Sequence, residues 1–178
     1  MIVGLLLAEL TVRAGKEWVI LVNLVLTEIS VAAVIVFGCV LLHVGGLMLM
    51  AECMFNRREY LEQGARIRHS GFIVLLFSGI LVLHVSETAL WAIFYYSRGL
   101  FETFETALYF SLGSYTTIGY GDVVLAHRWR LLGAIEGISG VLLCGISTAF
   151  MFAVINGMFQ VRYNFKQRLA LNQTSKTL

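Results

Sequence analysis

The chain has 178 residues, 58% of them hydrophobic and only 13% charged, with a mean hydropathy of +0.82 and a formal net charge of +2. That balance excludes an ordinary soluble globular domain, and the small charge, without any basic run interleaved with aromatics, excludes a nucleic-acid surface. Proline is absent, so any bend in a long helix must come from glycine.

Residues 1–55 read as an N-terminal interfacial segment followed by a first transmembrane helix. Met1 to Leu10 is apolar but too short to span and lacks a basic n-region, with a cleaved signal peptide as the alternative. Trp18 to Met50 is almost uninterrupted in apolar character and longer than the roughly 20 residues that cross a hydrocarbon core, so this helix tilts or projects. Residues 56–70 form a loop with Arg57, Arg58, Arg66 and Arg68. A second span runs from Phe72 to Ser97. Leu100 to Tyr115 is too short to cross and return, and suits a half-length helix that re-enters the membrane. The third span is Trp129 to Phe159, and residues 161–178 form a short tail with Arg162, Lys166, Arg168 and Lys176.

The basic loop and the basic tail belong on the cytoplasmic side. Three spans then place the N-terminus outside and the C-terminus in the cytoplasm. Trp18, Trp91 and Trp129, with Tyr95 and Tyr96, all fall toward the outer ends of their helices and read as one aromatic belt. Arg128 and Arg130 oppose the charge bias without reversing it. Cys39, Cys53 and Cys144 have no metal or redox spacing and read as small packing residues.

Between the second and third spans stands Thr116-Thr117-Ile118-Gly119-Tyr120-Gly121-Asp122. Two glycines at alternate positions allow backbone conformations closed to residues with a Cβ, so that successive carbonyls can turn toward one axis. The stretch resembles the selectivity-filter signature of prokaryotic-type potassium channels. The resemblance covers Phe72 to Phe159 and implies an all-α membrane protein: three transmembrane helices plus a re-entrant pore helix and a selectivity-filter loop. It places the pore domain at residues 71–160. It further implies K⁺ bound at Thr117, Ile118, Gly119 and Tyr120, Asp122 bracing the outer mouth, and passive potassium-selective conduction. One pore loop cannot enclose an axial filter, so a homotetramer with cyclic symmetry is expected. The setting implied is the inner (plasma) membrane of a prokaryote, with lipid around the tetramer, K⁺ as permeant ion and no cofactor.

Carried onto the third span, the same resemblance makes Gly140 a hinge and turns Val141, Cys144, Thr148, Phe152 and Asn156 toward the cavity or gate. Gly133, Gly137 and Gly140 equally suit close helix packing. Where potassium channels often carry a Trp pair in the pore helix, this chain has Tyr109 and Phe110, and Gly113 stands where an acidic or hydrophobic residue is common.

No regular arginine series provides a voltage sensor, and the tail is too short for an independent ligand-binding core. A weakly selective cation channel and the membrane subunit of a potassium transporter are the alternatives; Tyr120 is intact against the first, and a complete filter in a single loop stands against the second. No nucleophile elbow, metal-ligand cluster or phosphate loop points to an enzyme. Glu28, His43, His84, Glu87 and Glu136 lie within apolar spans, where ionisable groups are costly. His84, Glu87 and Glu136 are the candidates for a proton-linked role. His84 and Glu87 share a helix face, and Glu87 and Glu136 stand at similar depth, so the two carboxyls are expected to meet.

Overall fold

The computed structural model describes residues 2–56 and 66–174. All of the regular structure there is helical: α1 spans Ile2–Asn56, α2 Arg66–Ser97, α3 Phe104–Tyr115 and α4 Arg130–Thr174, with a single 3₁₀ turn at His127–Trp129. Three segments are long and apolar enough to cross a membrane: Glu17–Met54, Ser70–Ser97 and His127–Gln160. Val34, Phe37, Leu75, Phe77 and Val82 are each more than half exposed, as they must be where hydrocarbon rather than protein covers the helix. The chain is an integral membrane protein.

Helix extends toward both ends of the described residues. α1 runs unbroken from Ile2 to Asn56, so residues 2–16 are helical and continuous with the first span. Likewise α4 continues through most of the expected tail, to Thr174. The centre of the basic loop, with Arg57 and Arg58, lies outside the described residues, while Arg66 and Arg68 fall in the first turns of α2.

Local chemistry sets the boundaries of the short elements. Gly99 ends α2 in the left-handed region (φ +66°). Its N–H donates to the Tyr96 carbonyl at 2.9 Å and the Leu100 N–H to the Tyr95 carbonyl at 3.0 Å, the double closure of a Schellman cap. Thr103 then starts α3, its hydroxyl oxygen accepting the Thr106 N–H at 3.1 Å.

The core lies where all four helices approach. Ala32, Ile35 and Cys39 of α1 meet Trp91, Ala92 and Tyr95 of α2, Ala107 of α3, and Leu132 and Leu143 of α4. Trp91 and Tyr95 are wholly buried, so they leave the expected aromatic belt; Trp18 and Tyr96 remain well exposed. Tyr95 packs edge-on to Phe101 and Phe110, with ring centroids 6.1 and 5.4 Å apart. Of the cysteines only Cys39 is a packing residue, and Cys53 and Cys144 are exposed.

Candidate functional site

The segment after α3 is shaped by its amide groups. The N–H of Thr116 donates to the Leu112 carbonyl at 3.1 Å, that of Thr117 to Ser114 at 2.9 Å and that of Gly119 to Gly113 at 3.0 Å. These bonds satisfy carbonyls that the end of α3 would otherwise leave open. They also orient the segment. In a trans peptide the N–H and the preceding C=O point in opposite directions. The amides of Thr117 and Gly119 face α3, so the carbonyls of Thr116 and Ile118 face away from it. Thr117 (φ +59°), Gly119 (φ +53°) and Gly121 (φ +80°) all take the left-handed conformation, at every second residue. Glycine adopts it freely; Thr117 is the only non-glycine among the described residues to do so, a strained geometry of the kind that surrounding structure must enforce. Every residue from Thr116 to Asp122 is exposed in the single chain.

Tyr109 of α3 braces this segment in two ways. Its hydroxyl donates to Asp122 Oδ2 at 2.8 Å, and its ring stacks on that of Tyr120, with centroids 6.2 Å apart and planes 12° from parallel. Phe110 instead packs against Tyr95 and Phe101. Behind the segment a cavity of about 30 Å³, lined by Gly113, Ser114, Gly119 and Asp122 among others, marks the space that a larger side chain at Gly113 would fill.

Helix α4 turns three of its glycines toward α3. A Cβ on Gly133 would stand 3.1 Å from the Phe110 ring, on Gly137 3.0 Å from the Ser114 carbonyl, and on Gly140 2.1 Å from the Tyr115 carbonyl. Gly140 therefore admits the end of the pore helix. It is not a break, because α4 passes through it without interruption. Val141, Cys144, Thr148, Phe152 and Asn156 share an exposed face of the single chain, and Phe152 is 71% exposed.

The buried ionisable groups fall into two clusters, and the expected contact between Glu87 and Glu136 is not made. Glu136 on α4 is wholly buried. It accepts a hydrogen bond from Tyr95 Oη at 2.7 Å and another from Ser111 Oγ. Ser111 also lies 2.8 Å from the Thr88 carbonyl, so this cluster ties α2, α3 and α4 together behind the pore helix.

Glu87 has a different set of partners, arranged as a closed ring. Glu87 Oε1 meets His43 Nδ1 at 2.7 Å, and His43 Nε2 meets Ser147 Oγ at 3.0 Å. Ser147 Oγ meets His84 Nε2 at 3.1 Å, and His84 Nδ1 meets Tyr115 Oη at 2.8 Å. The Tyr115 hydroxyl then donates back to Glu87 Oε2. The expected proximity of His84 and Glu87 is present as well, with 3.3 Å between Nδ1 and Oε2. Five links need five protons. The tyrosine, the serine and two neutral imidazoles supply four, so one further proton completes the ring and leaves it with no net charge. Every helix contributes: His43 from α1, His84 and Glu87 from α2, Tyr115 from α3 and Ser147 from α4. Tyr115, Ser147, Tyr95 and Ser111 were not among the sequence candidates. Hydroxyl residues in apolar helices are common, and only their convergence on a buried carboxyl singles these out.

No curated protein and no solved structure matches the chain. Residues 71–156, a little under half of the chain, match a family model described as Ion channel, so most of α2, all of α3, the exposed segment and the first part of α4 are similar to an ion-channel domain.

Proposed function

We propose that the protein is a passive potassium-selective channel whose filter is Thr116–Asp122, contributed by four copies of the chain around one axis. The observation that carries this reading is the orientation of the filter backbone: amides of alternate residues are tied to the pore helix, and their partner carbonyls are directed to the opposite, exposed side. Carbonyls gathered in that way replace the hydration shell of K⁺. In a single chain they face open space. Four-fold assembly gives them a common centre, and it turns the exposed face of Val141, Cys144, Thr148, Phe152 and Asn156 toward a shared cavity. The arginine bias supports an external filter with a cytoplasmic C-terminus.

Purified protein in liposomes should show a reversal potential close to that of K⁺ in mixed K⁺/Na⁺ solutions, and Tyr120→Asp should move it to near zero. A value near zero for the unmodified protein would exclude a potassium-selective filter and favour the weakly selective cation channel. Tyr109→Phe keeps the ring stacked on Tyr120 while removing the hydrogen bond to Asp122. Potassium currents through that variant should decay faster during sustained opening, with the reversal potential unchanged. Equal decay in both proteins would remove Asp122 from filter bracing.

A further inference from the structure

Among the described residues, one place outside the filter gathers metal-ligating side chains. Ligand atoms of His43, His84 and Glu87 all lie within 4.8 Å of one another, with His43 and Glu87 fully buried and His84 16% exposed at its side chain. A tetrahedral ion bound at about 2.0–2.1 Å by nitrogen and oxygen holds its donors about 3.3 Å apart. His43 Nδ1 is 2.7 Å from Glu87 Oε1, His84 Nδ1 is 3.3 Å from Glu87 Oε2, and no two of the donors stand more than 4.8 Å apart, so an adjustment of at most about 1.5 Å brings them to that spacing.

Ser147 supplies a second, independent observation. Both imidazoles direct Nε2 at its hydroxyl oxygen, at 3.0 and 3.1 Å. That oxygen has two lone pairs and can accept both N–H groups at once. With an ion bound, both Nε2–H groups donate to that oxygen and each imidazole presents its Nδ1 lone pair toward Glu87. An outer partner that fixes tautomer and ring orientation is the regular companion of a metal-bound histidine.

We propose that His43, His84 and Glu87 form a binding site for a divalent transition-metal ion of the zinc type, with the Tyr115 oxygen as fourth donor and Ser147 orienting both imidazoles. Two imidazoles and two oxygens suit Zn²⁺ and its neighbours, not Mg²⁺ or Ca²⁺, which take all-oxygen sites. The ion takes the place of two ring protons: the one between His43 and Glu87 and the one on Tyr115. The three protons that remain sit on the two Nε2 atoms and the serine hydroxyl, the one between His84 and Tyr115 having moved to His84 Nε2. With Glu87 and Tyr115 as anions, the two positive charges are balanced inside the apolar core. Access is from the exposed face of α4, where Cys144 Sγ lies 3.9 Å from His84 Nε2. An occupied site clamps Tyr115, the residue next to Thr116, to both α1 and α2.

The test reads binding, not flux, and so is independent of the potassium assignment. Detergent-purified protein titrated with Co²⁺ should take up one ion per chain with the intense visible absorption of a tetrahedral complex, displaced by Zn²⁺. His43→Gln and Glu87→Gln should abolish that band, Ser147→Ala should weaken affinity by about 10–100-fold, and Cys144→Ser should leave it intact. Retention of the band in His43→Gln, or its loss in Cys144→Ser, would overturn the assignment. X-ray absorption of the Zn²⁺-loaded unmodified protein needs no variant to fold. Scattering from two imidazoles supports the site, and its absence, or absence of any binding, refutes it.

Discussion

Gly140→Ala should be the most damaging single-methyl change in this protein. The added Cβ would stand 2.1 Å from the Tyr115 carbonyl oxygen and 3.0 Å from its carbon. Backbone at the end of the pore helix cannot swing aside as a flexible side chain would. Overpacking of this kind costs about 1–3 kcal/mol, and the strain falls on the residue that leads into Thr116. Gly45→Ala provides the contrast: that glycine is exposed on α1 and a Cβ there meets nothing within 4 Å. Alanine in an open helical position should be neutral or stabilising by about 0.5–1 kcal/mol. Thermal unfolding of the two purified variants should therefore move in opposite directions from the unmodified protein. Equal midpoints would mean that the pore helix does not lean on α4 at Gly140.

Glu87→Leu should lower stability by about 3–5 kcal/mol, the cost of removing one partner from a buried pair and leaving the other unmatched. Here the loss reaches further than a pair. His43 Nδ1 loses its only partner among the described residues, and the Tyr115 hydroxyl keeps only His84. Glu87→Gln should recover most of the loss, because its amide oxygen can accept from Tyr115 and its NH₂ can donate to His43. The measurement is the unfolding midpoint of both variants in detergent, together with their elution volume as assembled protein. A leucine variant as stable as the unmodified protein would show that the ring does not hold the helices together.

The sequence by itself determined the features that rest on local backbone chemistry and on hydropathy. Three apolar stretches of sufficient length made three spanning helices, since apolar length is the requirement for crossing hydrocarbon. Gly119 and Gly121 and the half-length apolar run before them were readable, because a positive φ is set within a few residues. Which polar groups meet was decided only by the tertiary structure. Depth along a helix can be counted from the sequence, and counting placed Glu87 level with Glu136. Rotation about the helix axis cannot be counted in the same way when apolar residues surround a helix on every side, because no polar stripe marks the face turned inward. Packing sent Glu87 to His43, 44 residues away, and to Tyr115, and sent Glu136 to Tyr95 and Ser111. It also buried Trp91, which depth alone had assigned to the membrane surface. The same rotation brought Ser147 between two histidines, 104 residues from one and 63 from the other, a juxtaposition that no spacing pattern in the chain announces.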